Sequence, residues 1–245
     1  MITFVGAGPG DVELITIKGR RAIEEADIVI YAGSLVAKEH LKFCKNGVKI
    51  YNSASMTLEE VIDVMKNNKD KNIVRLHTGD PSIYGAIKEQ MDELDEINLE
   101  YKVIPGVSSF TAAASSIKRE FTLPGVSQTV ILTRIEGKTP VPEKERLEKL
   151  AEIGASMAIF LSVSMIEKVV KSLKNGYKRN VPIAVIQRAT WNDEKIVMGT
   201  LDDIAEKVKK ENITKTAQIL VGDFIDCEYE KSLLYDKNFS HMFRK

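Results

Sequence analysis

The amino-acid sequence predicts an α/β protein of two domains, the first built on a mainly parallel sheet and the second on a mixed sheet. Short apolar runs alternate with amphipathic stretches along the chain, which is the pattern of parallel strands covered by helices. A charged stretch containing Pro124-Gly125 interrupts this alternation at residues 118–127, which indicates a linker. Asp193-Glu194 separates two strand-like runs with no helical pattern between them, which indicates a hairpin.

The first domain is predicted at residues 1–117. Apolar runs predict its strands, and apolar residues spaced three or four apart predict its helices. The strands are expected at residues 2–5, 28–31, 48–51, 73–77 and 101–104, and the helices at residues 18–26, 58–67 and 83–94. Asp80 and Pro81 are the residue types of a helix N-cap and a first helical position, so a helix is expected to start there.

The second domain is predicted at residues 128–245, after the linker. The same two patterns continue, but the hairpin adds antiparallel pairing, so the sheet is expected to be mixed. The strands are expected at residues 129–134, 156–163, 183–189, 195–200 and 218–222, and the helices at residues 143–153, 165–174 and 201–211.

The composition excludes several function classes. The chain has 245 residues with 35 Lys+Arg against 35 Asp+Glu, and this balance argues against a nucleic-acid binder, which usually carries a basic excess. The sequence contains no G-x-S-x-G, H-E-x-x-H or P-loop motif, so no hydrolase is indicated. Its three histidines are isolated and its two cysteines form no C-x-x-C, so no metal site is expected. No signal peptide or membrane span is expected either, and a cytoplasmic protein is predicted.

Three glycine-rich segments follow three of the predicted strands. They are GAGPGD at residues 6–11, HTGDPSIYG at residues 77–85 and PGVSS at residues 105–109. Glycine allows backbone groups to approach a ligand that a Cβ would exclude, and open α/β sheets bind ligands at the carboxyl ends of their strands. The three segments together therefore predict one shared pocket, although a purely structural tight turn is an alternative for the first segment alone.

A dinucleotide site is the competing interpretation of the first segment. The third glycine of G-x-G-x-x-G is replaced by Asp11, and Pro9 lacks the N–H that a pyrophosphate would use,. The second strand is followed by Ala32-Gly33-Ser34, with no acidic residue to bind a ribose,. These departures disfavour an NAD oxidoreductase.

Together with four longer motifs, the three segments resemble the tetrapyrrole methylase family, which uses S-adenosylmethionine (SAM). The longer motifs are YAGSLV at 31–36, QTVILTRIEGKTPVP at 128–142, ATWNDEKI at 189–196 and LYDKNFSHMFRK at 234–245. The resemblance covers essentially the whole chain, with Asn192 as a departure where the family pattern has Pro. It implies two α/β domains with a SAM cleft between them, and a homodimer.

The resemblance also implies a reaction. It is methyl transfer from SAM to ring carbon 11 of cobalt-precorrin-4, giving cobalt-precorrin-5A in cobalamin (vitamin B12) biosynthesis. Metal-free precorrin-4, or another ring carbon of a corrinoid or siroheme precursor, is an alternative. A non-catalytic SAM-binding regulatory module is an alternative of another class.

The site residues are carried over by motif. The implied SAM contacts are Pro9, Asp80, Ile83, Ser108, Ser109, Leu161, Ala189 and Ala217. For Leu161, Ala189 and Ala217, plain core packing is the alternative. A macrocycle with many carboxylates needs basic partners, and the candidates are Arg134, Lys138 and Arg188, each with solvated surface charge as the alternative. No catalytic residue is assigned, and Asp80 is not taken as a base.

Overall fold

The structure is a computed structural model that describes residues 1–232 and residue 240. Apart from residue 240, the C-terminal motif at residues 234–245 lies outside the described residues, and so does His241. The chain divides into two compact units. The first unit comprises Met1–Ala112 and Arg188–Asp193, and the second comprises Ala113–Gln187 and the chain from Glu194 onward. The domain limits drawn from the sequence, with a linker at residues 118–127, stay a prediction.

The first unit contains a five-stranded sheet in which every pairing is parallel. Its strand order is β3-β2-β4-β1-β5. The strands are β1 Ile2–Gly6, β2 Ile28–Tyr31, β3 Lys49–Asn52, β4 Ile73–His77 and β5 Tyr101–Ile104. The three central strands are buried along their whole length, as expected for a parallel sheet covered on both faces.

Helices cover both faces of this sheet. They are α1 Ile17–Glu25, α2 Leu58–Lys66 and α3 Ile87–Glu96. Helix α4, Ser109–Ser116, follows β5 and extends past the end of this unit at Ala112. Ile23 of α1 belongs to the apolar cluster on one face, and Met65 of α2 and Leu94 of α3 belong to the cluster on the other. Thr57 and Glu60 form a capping box at the start of α2, which stabilises that end of the helix.

The predicted start of the third helix is wrong. The Asp80 carboxylate accepts from the backbone N–H of Ser82 and so forms a turn instead of capping a helix. Tyr84 (φ 54°) and Ala86 (φ 48°) are both left-handed, a conformation that a right-handed helix cannot include. Helix α3 therefore begins only at Ile87.

The second unit contains a mixed sheet with the strand order β6-β7-β10-β8-β9. Its strands are β6 Val130–Arg134, β7 Ser156–Phe160, β8 Pro182–Gln187, β9 Lys195–Thr200 and β10 Ala217–Val221, and its helices are α5 Leu147–Ala151, α6 Ile166–Tyr177 and α7 Ile204–Lys210. Strands β6 and β7 are parallel and the other pairs are antiparallel. The prediction of one parallel and one mixed sheet is thus confirmed.

The predicted hairpin is confirmed, but two strands end earlier than predicted. Strands β8 and β9 pair antiparallel up to Gln187 and Lys195. Strand β7 ends before Leu161 (φ 54°), and β8 ends before Arg188 (φ 52°). A left-handed residue turns the chain out of the extended conformation, so the predicted strands extend two or three residues beyond the observed ones.

Within residues 1–232 and 240, no helix has the length and apolar composition needed to cross a membrane. The same residues hold no cluster of three or more His, Cys, Asp or Glu side chains arranged to bind a metal ion.

Strand β4 carries two polar side chains into the core of the first unit. Arg75 donates to Gln90 Oε1 at 3.0 Å and to the Ile30 carbonyl oxygen at 3.3 Å. Burial lowers the pKa of Arg75 to about 10. Burial, and then the charge of Arg75, lower the pKa of His77 to about 3. His77 Nε2 is buried without a hydrogen-bond partner, so the imidazole is neutral in the folded protein at ordinary pH.

This buried imidazole predicts a loss of stability in acid. Below its unfolded pKa of about 6.5, His77 gains a proton only when the chain unfolds, because its folded pKa is about 3. Stability is therefore complete above pH ~6.5 and falls toward pH ~3, by about 2 kcal/mol at pH ~5 from this residue. Denaturant titrations at several pH values should show a flatter profile for His77→Leu than for the natural chain. Parallel profiles would contradict a buried neutral His77.

Candidate functional site

The three glycine-rich segments lie side by side in the folded chain. They follow β1, β4 and β5, which are neighbours in the sheet, so their turns share one sheet edge. The first and second turns are joined by backbone hydrogen bonds in both directions, from Gly8 N to the Gly79 carbonyl at 3.3 Å and from Gly79 N to the Gly8 carbonyl at 2.8 Å. The three segments are thus neighbours within the first unit, and we call them the three-turn cluster. That they form one shared pocket stays a prediction.

Close backbone contact explains why two positions of the cluster are glycine. A Cβ on Gly6 would lie 2.6 Å from the Cα of Gly106, and a Cβ on Gly106 would lie 2.2 Å from the carbonyl oxygen of Gly79. Both distances are far below van der Waals contact. Any side chain at either position would push the turns apart.

Asp80 joins the second turn to the third. One carboxylate oxygen accepts from Ser82, and the other accepts from the backbone N–H of Gly106 at 2.9 Å. Partial burial opposes ionisation, but the hydrogen bonds from Ser82 and Gly106 outweigh it and hold the pKa of Asp80 below its usual value. A carboxylate held in this way is suited to positioning and is a poor proton acceptor.

The first turn is also held by side chains from distant parts of the sequence. His40 Nε2 lies 2.9 Å from the Ala7 carbonyl oxygen, and His40 Nδ1 lies 3.0 Å from that of Ala37. Trp191 Nε1 donates to the Pro9 carbonyl at 2.9 Å. Neither His40 nor Trp191 was assigned a role from the sequence, because these contacts leave no signal in local spacing.

The implied SAM contacts of the first unit lie in or beside the three-turn cluster. Pro9 is buried, and Asp80 and Ile83 are half-buried. Ser108 is buried and precedes α4, of which Ser109 is the first residue. The sixth residue, Ala189, is buried within residues 188–193. The structure therefore gathers these six residues in one unit, while their role in binding stays a prediction.

The implied contacts of the second unit lie at one end of its own sheet. Leu161 directly follows β7, and Ala217 begins β10, which runs antiparallel to β7. Leu161 is 66% exposed, so core packing does not account for it. Ala217 packs against the apolar core of the unit, so core packing does account for it.

Two of the three predicted substrate-binding side chains have structural partners. Arg134 donates to the carbonyl oxygens of the loop that follows β6, namely Ile135, Thr139 and Pro140. Arg188 lies over the ring of Trp191 at 4.0 Å and pairs with Asp193 at 2.6 Å. Lys138 is exposed in the loop that Arg134 holds.

Backbone strain concentrates beside the implied site residues. Ten non-glycine residues of the described chain have positive φ. Four of them (Asn98, Lys118, Lys178 and Asn212) follow the ends of helices, where this conformation is common. The other six lie in or directly after the second turn, at Leu161, on either side of Ala189, or next to Ala217, and they are Tyr84, Ala86, Leu161, Arg188, Thr190 and Thr216. Strain retained away from helix ends is typical of ligand-binding segments.

Comparison with known proteins agrees with this geometry. The family model described as Tetrapyrrole (Corrin/Porphyrin) Methylases matches residues 1–205. The chain belongs to the tetrapyrrole methylase family. The resemblance stated from the motifs is thereby confirmed, and with it a SAM-dependent methyltransferase.

Individual members of the tetrapyrrole methylase family are similar over nearly the full chain. A cobalt-precorrin-4 C(11)-methyltransferase of Methanocaldococcus jannaschii is 62% identical over 100% of this chain and 96% of its own length. The X-ray structure of a cobalt precorrin-4 methyltransferase, CbiF, superposes with a TM-score of 0.89 at 43% identity, covering 92% of this chain and 96% of that one. A uroporphyrin-III C-methyltransferase of Thermus thermophilus complexed with S-adenyl homocysteine has a TM-score of 0.76 at 26% identity, covering 91% and 98%.

The close contact at Gly106 predicts that cofactor affinity is lost when the turns separate. Gly106→Ala is expected to weaken binding of S-adenosylhomocysteine (SAH) about tenfold or more, because its Cβ would overlap the Gly79 carbonyl,. The matched control is Gly137→Ala, whose Cβ would meet only the flexible Met165 side chain, at 3.4 Å. Calorimetric titration with SAH measures both variants. Equal affinity in the natural chain and Gly106→Ala would contradict the role given to this contact.

Proposed function

We propose that the protein transfers the methyl group of SAM to ring carbon 11 of cobalt-precorrin-4 in cobalamin biosynthesis. The observation that carries this proposal is the 62% identity, over the whole of this chain, to the Methanocaldococcus jannaschii relative, whose name states this reaction. The site geometry supports it, because the parallel sheet ends in a cluster of backbone turns suited to a small, flexible ligand.

The three-turn cluster fits the chemistry of SAM. The cofactor supplies an electrophilic methyl group. Turns built from glycine, with Asp80 and two serines beside them, offer backbone groups and short polar side chains, which suit the hydroxyl and amino groups of a nucleoside and an amino acid. We therefore assign the cofactor to this edge through Pro9, Asp80, Ile83, Ser108, Ser109 and Ala189. The SAM contacts implied at Leu161 and Ala217 of the second unit stay predictions.

Catalysis by these residues is a matter of placement. The residues that hold the cofactor would have to place its methyl group against the nucleophilic ring carbon and exclude water from both reactants. The chain contributes rigid backbone at the three turns and no identified base. Asp80 is unsuited to accept a proton, since Ser82 and Gly106 occupy its carboxylate and lower its pKa.

Recognition of the tetrapyrrole requires cations that reach its carboxylates. Lys138 is exposed in the loop after β6, so we propose it as a direct contact. Arg134 shapes this loop through three carbonyl oxygens, so we propose that it acts on the substrate through the position of Lys138. The assignment of Arg188 to the tetrapyrrole stays a prediction, and its contacts favour the different role argued below. Assembly as a homodimer and a cytoplasmic location also stay predictions.

Product analysis tests the proposed reaction. The purified protein, incubated with cobalt-precorrin-4 and SAM carrying a ¹³C-labelled methyl group, should give a product labelled at carbon 11 by NMR. In the same assay, Lys138→Met should raise KM for the tetrapyrrole and leave KM for SAM unchanged, while Lys171→Met, at an exposed position of α6, should change neither.

Other outcomes would favour the alternatives. Label at another ring carbon, or turnover of metal-free precorrin-4 alone, would replace the proposed substrate or position. Binding of SAH without turnover of any tetrapyrrole would favour a regulatory module.

A further inference from the structure

Residues 188–193 form a segment that contacts the first glycine turn, although it is distant from that turn in sequence. The segment connects β8 to β9 but belongs to the first unit. Its Trp191 donates to the Pro9 carbonyl at 2.9 Å, and its Thr190 hydroxyl oxygen accepts from Asp11 N at 3.0 Å. A Cβ on Gly10 would lie 2.1 Å from the indole ring. The indole thus packs directly on the turn backbone, and glycine at position 10 makes that possible.

Arg188 holds the indole in this place. Its guanidinium lies 4.0 Å from the centre of the Trp191 ring and pairs with Asp193 at 2.6 Å. Arg188 (φ 52°) and Thr190 (φ 71°) are both left-handed, which is unfavourable for non-glycine residues and persists only where surrounding contacts impose it. The segment is therefore fixed by its contacts with the turn and by this internal stack.

We infer that Trp191 is a positioning residue for the cofactor, and that Arg188 acts through it. The inference rests on the proposed placement of SAM at the three-turn cluster. Residues 6–11 include three glycines and no large side chain, so apart from the fixed φ of Pro9 the turn has little of its own to restrict its backbone. The Trp191 and Thr190 hydrogen bonds restrict it at Pro9 and Asp11. A turn ordered before binding loses less conformational entropy when the ligand arrives.

This role differs from direct recognition of the tetrapyrrole. If Arg188 acts through the indole, its neutralisation weakens binding of the cofactor and leaves KM for the tetrapyrrole unchanged. If Arg188 contacts a substrate carboxylate, the opposite holds. The two kinetic constants therefore separate the positioning role from the assignment made from sequence.

The chain contains one tryptophan and seven tyrosines, so emission excited selectively at tryptophan reports on Trp191 alone. Titration of the natural chain with SAH should change the Trp191 emission with the same midpoint as calorimetry. Trp191→Phe removes the N–H that satisfies the Pro9 carbonyl and should weaken SAH binding about fivefold. Trp191→Leu also removes the ring packing and should weaken it about tenfold or more, and Arg188→Met should act in the same direction.

The control is Phe224→Leu in the second unit. It replaces a buried ring whose centre lies 4.8 Å from that of the Phe121 ring, so it should lower Tm and leave SAH affinity unchanged.

Failure of the natural chain to bind SAH would overturn the proposed function itself. Binding by the natural chain with equal affinity in Trp191→Phe and Arg188→Met, or an emission that does not respond to saturating SAH, would overturn only the positioning role. Trp191→Phe retains an aromatic ring, so the test does not depend on the folding of Trp191→Leu.

Discussion

Three backbone turns approach one another at the carboxyl ends of β4, β1 and β5 so closely that side chains are excluded between them. A Cβ at Gly6 or Gly106 would lie within 2.6 Å of backbone atoms of another turn. Because the strands are neighbours in a parallel sheet, the hydrogen bonds between Gly8 and Gly79 and from Gly106 to Asp80 join all three turns into one surface. The cofactor assignment and the contacts of Trp191 with the first turn depend on this arrangement.

The chemistry proposed for the site follows from rigidity and placement. SAM carries a reactive methyl group, so the protein has to orient it and keep water away, and needs no metal or nucleophile to activate it. Backbone turns held from several directions suit that task. The first turn is held by Gly79 through its backbone, by His40 at Ala7 and by Trp191 at Pro9. The chain carries 35 positive and 35 negative groups, so the positive charge proposed to bind the substrate carboxylates has to be local. We place it at the loop that carries Lys138.

Local sequence patterns predicted the two sheets, the approximate positions of most helices and the three turns, because apolar periodicity and glycine position are local signals. They failed where a distant partner decided the outcome. Asp80-Pro81 has the composition of a helix start, yet the Asp80 carboxylate is engaged by Ser82 and by Gly106, 26 residues away. His40 and Trp191 reach the first turn across 33 and 182 residues, a separation that no spacing rule reveals. For Arg134 and Arg188, charge indicated a ligand, and only the folded chain shows the carbonyl oxygens, ring and carboxylate that they bind.

Hydrogen–deuterium exchange of the natural chain with and without SAH tests most directly whether the three turns act as one cofactor site. Exchange at residues 6–11, 78–85 and 105–109 should slow together in the presence of SAH, since one ligand contacts a surface in which these segments are joined. Protection confined to one of the three segments, or absent from all of them while calorimetry reports binding, would contradict a shared site.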